Sequence, residues 1–324
     1  MKLLVTGGAG YIGSHMCKML AEHGHEVAVF DDLSSGYLQA VRWGKLYRGD
    51  LGDSARLADV FAEFRPEGVL QFAAKIVVPE SVAEPAMYYA TNFRGSLNLI
   101  DEVRRHPGCM LVFSSTAAIF GQPQMEKISE DHPTAPINPY GRTKLMVEHL
   151  LADYWSAYRV PSVSFRYFNA AGADSSGLIG EAHMPETHLI PKVLESALGR
   201  GEQVWVFGKD YATRDGTCVR DYIHVNDLCE AHMRGLDLMR RSPGCYAFNL
   251  GNGNGFTVQE VLDVSSRVIG RKVEFRTGDR RAGDAPTLIA DSSKARKTLG
   301  WQPAHPMLEE IIDSAWRWHS DKKF

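Results

Sequence analysis

Two side chains that can exchange a proton stand one helical turn apart. Tyr140 and Lys144 are four positions apart, and the apolar spacing around them predicts a helix from Tyr140 to Tyr158. Residues i and i+4 share one face of a helix, so we expect the phenol and the ammonium to meet. A neighbouring cation favours the phenolate and lowers its pKa, and a phenolate can take a proton from a substrate hydroxyl. The alternative is a tyrosine packed against a lysine stem on a solvated helix.

A glycine-rich turn follows the first apolar run of the chain. Gly7, Gly10 and Gly13 stand between the apolar residues Leu3 to Val5 and a helical pattern that begins at Tyr11. A pyrophosphate can rest on the N-terminus of a helix, where free N–H groups and the dipole favour anions, only if no side chain intervenes. The pattern therefore predicts dinucleotide binding, with a plain turn as the alternative.

An acidic residue follows the second apolar run, about twenty residues after the glycines. In dinucleotide-binding folds, an acid at this position binds the ribose. Asp31 can accept hydrogen bonds from the adenosine ribose hydroxyls, and its charge would repel a 2′-phosphate. NAD is therefore favoured over NADP as the dinucleotide. The alternative is that Asp31 and Asp32 only form a solvated turn.

Small and polar residues follow other predicted strands. Asp50 comes after a third short strand and can hydrogen-bond an adenine amino group, and Phe72 to Lys75 would let the chain pass close to phosphates. Thr116 follows the strand predicted over Met110 to Phe113, and open α/β sheets bind ligands at the carboxyl ends of their strands. Thr116 can thus hydrogen-bond the substrate alcohol. Turn formation, helix capping and ordinary sheet packing are the alternatives at these positions.

Polar loops in the second half of the chain carry groups that suit a phosphorylated ligand. Asn169 can donate hydrogen bonds to a phosphate, and the guanidinium groups of Arg220 and Arg281 suit a diphosphate. Asp284 can accept hydrogen bonds from sugar or ribose hydroxyls. Surface ion pairing is the alternative for either arginine alone. Because the histidines lack the spacing of a known metal motif, the sequence predicts no metal site.

Short apolar runs alternate with helix-patterned segments, which predicts a doubly wound parallel Rossmann sheet in an α/β fold. Looser polar loops after Asn169 predict a second, smaller α/β lobe that binds the substrate. We assign residues 1–168 to the cofactor domain, with 216–252 returning to it, and 169–215 and 253–324 to the lobe. The predicted helices are Tyr11 to His23, Thr91 to Arg105, Tyr140 to Tyr158, Leu189 to Gly199 and Tyr222 to Asp237.

The composition is that of an ordinary globular protein. The chain has 324 residues, a formal net charge of −3, 44% hydrophobic and 23% charged residues. Because the basic residues are scattered, nothing indicates a nucleic-acid or anionic-membrane partner. The first apolar run is too short for a signal peptide or a membrane span. The five cysteines are an odd number without a C-x-x-C pair, which argues against a disulfide framework, and we expect a cytoplasmic protein.

Several longer motifs, namely TGGAGYIGSH, SSTAAIFG, PYGRTK, RYFNAAG, GTCVRDYIHV and RRAGD, resemble the extended short-chain dehydrogenase/reductase family and, within it, the UDP-glucose 4-epimerase family. The resemblance implies a tightly held NAD that is regenerated in each turnover. It also implies that Tyr140 takes the proton of the sugar 4-hydroxyl while Thr116 orients that hydroxyl. Lys144 would hold the nicotinamide ribose and depress the pKa of Tyr140. A transient 4-keto sugar would then turn its other face before it is reduced again.

The resemblance also implies two sets of binding residues. The cofactor set is Gly7, Gly10, Tyr11, Ile12, Gly13, Asp31, Asp50, Leu51, Phe72, Ala73, Ala74, Lys75, Asn92, Ser114, Tyr140, Lys144 and Tyr167. The UDP-sugar set is Thr116, Tyr140, Phe168, Asn169, His188, Leu189, Val204, Phe207, Arg220, Arg281, Asp284 and Leu288, with Phe207 beside the uracil.

Three residues depart from the family pattern. Phe120 stands where the family usually has tyrosine, and His188 where it often has asparagine. A histidine can still donate to the diphosphate or the sugar. Leu288 stands where residue size is thought to govern which sugar substituents fit. The choice between glucose-type, N-acetylated and pentose substrates therefore stays open.

Other functions are compatible with the same scaffold. A sugar 4,6-dehydratase or a glucuronate decarboxylase would resemble the family members with an acid just after the hydroxyl residue, which the dehydratase needs to protonate the leaving water. Ala117 and Ala118 stand there and cannot transfer a proton. An NAD-dependent nucleotide-sugar dehydrogenase would release reduced cofactor, which an epimerase would not. A non-catalytic NAD-binding regulator is disfavoured by the intact set of Thr116, Tyr140 and Lys144.

A homodimer is implied by the resemblance as well. The segments Thr91 to Arg105 and Tyr140 to Tyr158 carry apolar residues at helical spacing. In the family such helices pair across a two-fold axis and form a four-helix interface. Burial of these residues within one subunit is the alternative.

Overall fold

The computed structural model of the chain describes residues 1–281 and 284–324. Its strands are β1 Lys2–Thr6, β2 Glu26–Asp31, β3 Lys45–Arg48, β4 Gly68–Gln71, β5 Met110–Thr116, β6 Lys127–Ile128, β7 Ser162–Tyr167, β8 Asn169–Ala171, β9 Val204–Phe207, β10 Val219–Arg220, β11 Tyr222–His224, β12 Cys245–Leu250, β13 Phe256–Thr257, β14 Phe275–Gly278 and β15 Thr287–Ala290. Its α-helices are α1 Tyr11–Glu22, α2 Ser54–Phe64, α3 Val78–Ala83, α4 Pro85–Tyr88, α5 Gly95–Arg105, α6 Pro139–Tyr158, α7 Leu189–Ala197, α8 Val225–Arg241, α9 Val258–Ile269, α10 Ser293–Leu299 and α11 Leu308–Ser320.

A seven-stranded sheet in the order β12-β7-β5-β4-β1-β2-β3 forms the centre of the molecule. Every neighbouring pair in this sheet is parallel. The strand order reverses between β1 and β4, and in such sheets ligands bind beyond the carboxyl ends of the strands at this point. The predicted doubly wound parallel Rossmann sheet is confirmed.

Helices cover both faces of this sheet, which explains why its strands are nearly continuous apolar runs. On one face Leu3 and Val5 of β1 pack in a cluster with Met16 of α1 and Leu236 of α8. On the other face Leu4 packs in a second cluster with residues of α2, α5 and α6. Successive residues of a strand point to opposite faces, so adjacent leucines in β1 serve the two cores.

The smaller part of the fold is built from short strands and three helices. One sheet has the order β13-β10-β15-β6, and β11 pairs with β8 and β14 with β9. Residues of α7, α9 and α11 share a separate apolar cluster that includes Leu194, Val261 and Ile311. Leu194, Val261 and Ile311 lie within the predicted lobe, but β6, β10 and β11 of these small sheets lie outside its predicted bounds of 169–215 and 253–324.

The structure corrects two predicted element boundaries. The segment predicted as a helix from Tyr222 begins with β11, and α8 starts only at Val225. The Nδ1 atom of His224 accepts a hydrogen bond from the backbone N–H of Asn226, 3.1 Å away, and so caps the helix. The second correction is that β5 continues to Thr116 instead of ending at Phe113, so the hydroxyl residues belong to the strand itself.

Among the helices of the described residues, none combines the length and the apolar character that crossing a lipid bilayer would require.

Three histidines are buried in the fold and held neutral. Burial lowers the pKa of His15 to about 4, that of His224 to about 3 and that of His232 to about 4. The ring of His232 packs against Phe165, with the two ring centres 4.7 Å apart. Because an unfolded histidine has a pKa of about 6.5, the unfolded chain binds more protons than the folded one below that pH.

We therefore expect the free energy of unfolding to fall as the pH drops below about 6.5. Each histidine contributes a loss of about 2 kcal/mol between pH 7 and pH 5. The carboxyl of Asp221 opposes this loss by about 1 kcal/mol, because burial raises its pKa to about 6. His188 opposes it further, because neighbouring carboxylates raise its pKa to about 10 and the folded chain already holds that proton at pH 7. Urea unfolding at the two pH values measures the net change.

Variants of single histidines test this assignment. His232→Phe should remove about 2 kcal/mol of the pH dependence, whereas His23→Ala, at an exposed histidine, should leave the dependence unchanged. Equal stability of the unaltered protein at pH 7 and pH 5 would contradict the expectation.

Candidate active site

The glycine turn between β1 and α1 passes so close to its neighbours that side chains cannot be accommodated. A Cβ atom on Gly13 would lie 2.1 Å from the carbonyl oxygen of Gly7, and one on Gly7 would lie 2.5 Å from the backbone nitrogen of Ala73. Gly7 also has a positive φ of 76°. The helix begins at Tyr11 with no side-chain hydrogen bond to its first N–H groups. The backbone N–H groups of the turn are therefore free to bind an anion at the N-terminus of the helix.

Asp31 holds the glycine turn from the end of β2. One carboxylate oxygen accepts a hydrogen bond from the backbone N–H of Ala9 at 3.0 Å, and the other accepts one from that of Leu33 at 2.8 Å. Burial raises the pKa of this carboxyl, and the two backbone donors partly offset that rise. A carboxylate oxygen has two lone pairs, so Asp31 can still accept hydrogen bonds from a ribose.

Two buried polar atoms without a hydrogen-bond partner lie at the switch point of the sheet. They are Oγ1 of Thr6 and Oε1 of Gln71, and these residues face each other at the ends of β1 and β4. Buried polar groups are normally paired. Their position beside the glycine turn therefore fits a ligand that supplies polar groups.

Asn92 fixes the segment that follows β4. Its side-chain oxygen accepts a hydrogen bond from the backbone N–H of Lys75 at 2.8 Å, and its amide donates one to the carbonyl oxygen of Lys75 at 2.9 Å. Asn92 lies in a π-helical turn over Tyr89–Arg94. Both ends of its amide are engaged, so Asn92 fixes the position of the backbone at Lys75.

The turn after β3 carries Asp50 and Leu51, which are predicted to lie beside the cofactor. The Asp50 carboxylate accepts a hydrogen bond from the backbone N–H of Gly52 at 2.6 Å. The carbonyl oxygen of Leu51 accepts one from the amide of Asn98 at 2.9 Å, and the Leu51 side chain is buried. The structure thus places a fixed acidic turn on the β3 side of the glycines.

Tyr140 and Thr116 are brought together as the sequence predicts. Tyr140 lies in the first turn of α6, whose N-cap residue Asn138 accepts a hydrogen bond from the backbone N–H of Gly141 at 2.8 Å. Thr116 ends β5, and its hydroxyl is hydrogen-bonded to the phenol of Tyr140. A substrate hydroxyl placed at this pair would meet a proton donor or acceptor and an orienting group.

The pKa of Tyr140 departs from the sequence prediction. Burial raises it above its ordinary value, and the hydrogen bond from Thr116 lowers it by less than burial raises it. The predicted net lowering by Lys144 is therefore wrong for this structure. The physical reason is that helix α6 places the phenol in a site with little solvent, where the charged form is disfavoured.

Lys144 is buried one turn further along α6. Its Nζ atom donates a hydrogen bond to the carbonyl oxygen of Ser114 at 2.7 Å and lies 4.9 Å from the centre of the Phe113 ring. Burial lowers the pKa of this ammonium to about 7, although the charge of Glu148 opposes that change. The lysine therefore loses its proton far more readily than a solvated one.

A buried ion pair lies beneath this lysine. The carboxylate of Glu148, one further turn along α6, accepts hydrogen bonds from the Arg166 guanidinium at 3.1, 3.1 and 2.6 Å. It also accepts one from the Ser115 hydroxyl at 2.5 Å. The exposed fractions of the two charged side chains are only 11% for Arg166 and 8% for Glu148. Sequence analysis missed this pair, although Glu148 continues the four-residue spacing of Tyr140 and Lys144.

Tyr167 completes the group around β5. Its phenol is hydrogen-bonded to the Ser114 hydroxyl, and burial raises its pKa. Both predicted cofactor residues thus lie on neighbouring parallel strands, β5 and β7, beside Lys144.

Predicted substrate residues of the smaller lobe converge on β10 and β15. Arg220 and Leu288 face each other across these strands. The Arg220 guanidinium donates to the carbonyl oxygen of Ala285 at 2.8 Å and lies 3.5 Å from the Asp284 carboxylate. The structure brings these three predicted residues together. Ala282 and Gly283 of the RRAGD motif lie outside the described residues.

Phe207 and Arg281 also meet. The guanidinium of Arg281 lies 4.1 Å from the centre of the Phe207 ring, and this ring is stacked with that of Trp205. Val204 is buried at the start of the same strand. Phe207 therefore presents an aromatic face next to a positive charge.

Other predicted substrate residues lie just after β7, on β15 and at the start of α7. The Asn169 amide donates a hydrogen bond to the carbonyl oxygen of Asp221 at 2.9 Å. Phe168 and Leu288 pack against the buried Phe120, so a phenylalanine at position 120 is accommodated in an apolar cluster. Leu189 is half-buried at the start of α7.

His188 lies just before α7, close to two carboxylates. Burial alone would lower its pKa, but the charges of Glu181 and Glu186 outweigh burial and raise it to about 10. The Nδ1 atom of His188 lies 2.6 Å from Oε1 of Glu181 and 3.3 Å from Oε1 of Glu186. Sequence analysis named His188 but not its acidic neighbours.

The chain is similar to known proteins over nearly its whole length. It matches the family model described as GDP-mannose 4,6 dehydratase over residues 4–314. It is 50% identical over 318 residues to a UDP-glucose 4-epimerase of Rhizobium meliloti (strain 1021), in an alignment that covers 98% of this chain and 97% of that protein.

Solved structures are similar over nearly the whole chain. The UDP-glucose 4-epimerase from Brucella ovis in complex with NAD superposes with a TM-score of 0.95 at 46% identity and covers 97% of both chains. The UDP-glucose 4-epimerase from Stenotrophomonas maltophila with bound NAD and formylated UDP-arabinopyranose gives a TM-score of 0.95 at 38% identity, over 99% of this chain and 98% of that chain.

Proposed function

Because the chain belongs to the UDP-glucose 4-epimerase family of the extended short-chain dehydrogenases/reductases, we propose that it is an isomerase that interconverts UDP-glucose and UDP-galactose. The observation that carries this function is the convergence of Thr116, Tyr140 and Lys144 at the carboxyl end of β5. A transient 4-keto sugar links the two epimers.

NAD fits the residues beyond the ends of β1 and β4. Gly7 and Gly13 leave room that a Cβ atom would fill, and Thr6 and Gln71 offer unpaired buried atoms there. Asp31 would hold the adenosine ribose and Lys144 the nicotinamide ribose. NAD, when bound, supplies the acceptor for the hydrogen and electron pair that leave C4 of the sugar.

Proton handling falls to the side chains of this chain. The Tyr140 phenol takes the proton of the 4-hydroxyl and returns it after the sugar has presented its other face, so the same group acts as base and as acid. Thr116 orients the hydroxyl through its own hydroxyl group. Burial, which raises the pKa of Tyr140, keeps the phenol ready to donate in the second half of the cycle.

The UDP-sugar would lie between the two parts of the protein. Arg220 and Arg281 supply positive charge for the diphosphate, Phe207 an aromatic face for the uracil, and His188 a donor. The same proposal assigns residues 1–168 and 216–252 to the cofactor domain and 169–215 and 253–324 to the substrate lobe. The pairing of β12 with β7 supports the return of the chain to the large sheet, whereas β6, β10 and β11, which this division assigns to the cofactor domain, pair with strands of the lobe.

Dehydration of the sugar is not favoured, although the matching family model carries a dehydratase description. Position 118 contributes a backbone N–H, which donates to the Thr116 hydroxyl at 3.1 Å. The side chains of Ala117 and Ala118 carry no acid to protonate leaving water.

Incubation of the purified protein with UDP-glucose, without added NAD, tests the function. We expect NMR to show UDP-galactose forming until both epimers are at equilibrium, with no net NADH. Parallel samples with UDP-N-acetylglucosamine and UDP-xylose determine which sugar substituents fit beside Leu288. Absence of any epimer from protein that contains NAD would overturn the proposal.

Thr116→Val should shift the pH–rate profile of epimerisation toward higher pH. The hydrogen bond from Thr116 lowers the pKa of Tyr140, so its loss raises that pKa further and leaves less phenolate at a given pH. A neutral hydrogen bond contributes about 0.5–1.5 kcal/mol, which corresponds to a loss of up to about tenfold near neutral pH. Thr116→Ser retains the hydroxyl and should keep the original profile, and identical profiles for the two variants would contradict this role.

We also propose that two copies pair through α5 and α6. These helices lie side by side, and the Tyr154 phenol of α6 donates to Asp101 of α5 at 2.9 Å. On α6 the exposed fractions of Met146 and Tyr158 are 37% and 55%, so apolar and aromatic surface is available for a partner. The five free cysteines support placement of the enzyme in the cytoplasm.

Met146→Glu should weaken the dimer by about 2 kcal/mol or more, because it places a charge in an apolar interface. Light scattering coupled to size exclusion at low micromolar concentration measures the effect. Met307→Glu, at another exposed methionine, should leave the mass unchanged. A monomeric unaltered protein would refute the proposed interface.

A further inference from the structure

Two histidines and two glutamates converge in the loop that leads into α7. Glu181, His183, Glu186 and His188 each offer one donor atom, and these atoms all lie within 4.8 Å of one another. Within residues 1–281 and 284–324, no second group of three or more such side chains converges in this way. We propose that this His-Glu cluster binds a divalent cation of the zinc class.

The donor spacing suits such an ion. Zinc binds imidazole nitrogen and carboxylate oxygen at about 2.0–2.2 Å, so neighbouring donors around a tetrahedral ion are about 3.4 Å apart. From His183 Nδ1 the distances are 3.0 Å to Glu181 Oε1 and 3.9 Å to Glu186 Oε2. From His188 Nδ1 they are 2.6 and 3.3 Å to the same two carboxylates. These separations bracket the value for a shared ion, and small side-chain rotations would equalise them.

One donor of the cluster has no hydrogen bond of its own. The Nδ1 atom of His188 is buried, and neither carboxylate near it meets hydrogen-bond geometry. Its contacts with the two carboxylates are therefore electrostatic, because their angles are not those of an N–H···O hydrogen bond. A ligating nitrogen needs a lone pair that faces an ion, so an ion bound here would take the place of the proton that His188 Nδ1 holds between the two carboxylates.

The charge of the cluster calls for compensation. Glu181 is buried, with an exposed fraction of 3% for its side chain, and a buried carboxylate is costly unless it is paired. Metal ligation requires both imidazoles to be neutral, and the two carboxylates then carry a charge of minus two; before an ion binds, a proton on His188 offsets part of this charge. A single divalent ion neutralises it and engages all four donors at once.

The cluster is also held in place by contacts outside it. The Glu186 carboxylate accepts hydrogen bonds from the backbone N–H groups of Thr187 at 2.7 Å and His188 at 2.8 Å. The buried Trp318 of α11 donates its indole N–H to the carbonyl oxygen of Glu181 at 2.8 Å. Such outer contacts orient ligands before the ion arrives.

Sequence patterns would not have revealed this site. The spacing Glu-x-His-x-x-Glu-x-His over residues 181–188 is not one of the common zinc motifs. The mixed set of nitrogen and oxygen donors favours zinc over magnesium, which prefers oxygen ligands and retains its waters.

Equilibrium titration of the purified protein with Zn²⁺, read by competition with a colorimetric zinc chelator, tests the site. We expect one Zn²⁺ per chain, not displaced by equimolar Mg²⁺. His183→Ala and Glu186→Gln should each weaken binding at least about tenfold, since loss of outer contacts alone weakens zinc sites by about 10–100-fold. Both side chains are only half-buried, and thermal unfolding verifies that the variants fold.

His23→Ala serves as the matched control, because His23 is exposed and directly follows α1, outside the cluster. Absence of stoichiometric Zn²⁺, or equal affinity in the control and in the cluster variants, would overturn the inference. The readout is metal binding, so a protein that binds zinc without epimerising sugars would refute the proposed function and leave this inference intact.

Discussion

Tyr140→Phe should lower kcat for epimerisation of UDP-glucose by about 10²–10⁴-fold, the range that general acid–base catalysis contributes. Phenylalanine keeps the ring in its place at the start of α6 and removes only the hydroxyl that is hydrogen-bonded to Thr116. The hydrogen bonds of the described residues join no other phenol or carboxylate to that hydroxyl, although the Tyr88 and Tyr167 phenols interact with it electrostatically. NMR of the two epimers over time measures the rate.

Binding should change far less than turnover in this variant. The charged residues proposed for the diphosphate lie on other elements, so KM should stay within a few-fold. Tyr246→Phe is the matched control, because the Tyr246 phenol donates to the carbonyl oxygen of Ser242 at 2.9 Å on the far edge strand of the sheet. Unaltered turnover of the Tyr140→Phe protein would remove the proposed mechanism and favour a non-catalytic NAD-binding protein.

Glu148→Gln should destabilise the fold by about 3–5 kcal/mol, because it leaves the guanidinium of Arg166 buried without an opposite charge. That guanidinium makes three contacts of 2.6 to 3.1 Å to Glu148 and packs over the Phe120 ring, 5.4 Å from its centre. Since typical domains are stable by only 5–15 kcal/mol, urea unfolding should show a clear loss.

A surface ion pair supplies the control for this prediction. Asp313→Asn removes the charge that pairs with Arg317 on α11, where the exposed fractions of the two side chains are 38% and 66%. Exposed pairs contribute about 0–1 kcal/mol. The double variant Glu148→Leu with Arg166→Met should recover most of the loss, because apolar replacements avoid the desolvation of both charges. A loss below about 1 kcal/mol in Glu148→Gln would show that water reaches the pair.

Much of the fold follows from local patterns in the sequence. The glycine turn, the alternation of apolar runs and helices, and the Tyr140–Lys144 spacing are all contained within short segments, so they predict the Rossmann sheet and the base directly. The end of β5 and the start of α8 are less predictable. At the end of β5, polar residues such as Ser114 continue the strand because the neighbouring strands supply hydrogen bonds. Those strands are distant in the sequence, so no local pattern predicts this continuation.

The parts of the site that escaped prediction depend on distant contacts. Glu148 meets Arg166 only because α6 packs on β7, and the orientation of Glu181 depends on Trp318 at the far end of the chain. The direction of the pKa change at Tyr140 was wrong for the same reason. Burial is a property of the assembled fold, whereas the spacing of two residues shows only which groups are neighbours.

The place of β12 in the sheet has a consequence for how the protein matures on the ribosome. Ser162 of β7 can form its strand pairing only after its partner in β12, Cys245, has been synthesised, 83 residues later. At roughly 5–20 residues per second, the newly made β7 has a free edge for about 4–17 seconds. Unpaired strand edges are templates for pairing with other chains. Crowded polysomes should therefore favour aggregation of nascent chains that have grown past β7 but not yet reached β12.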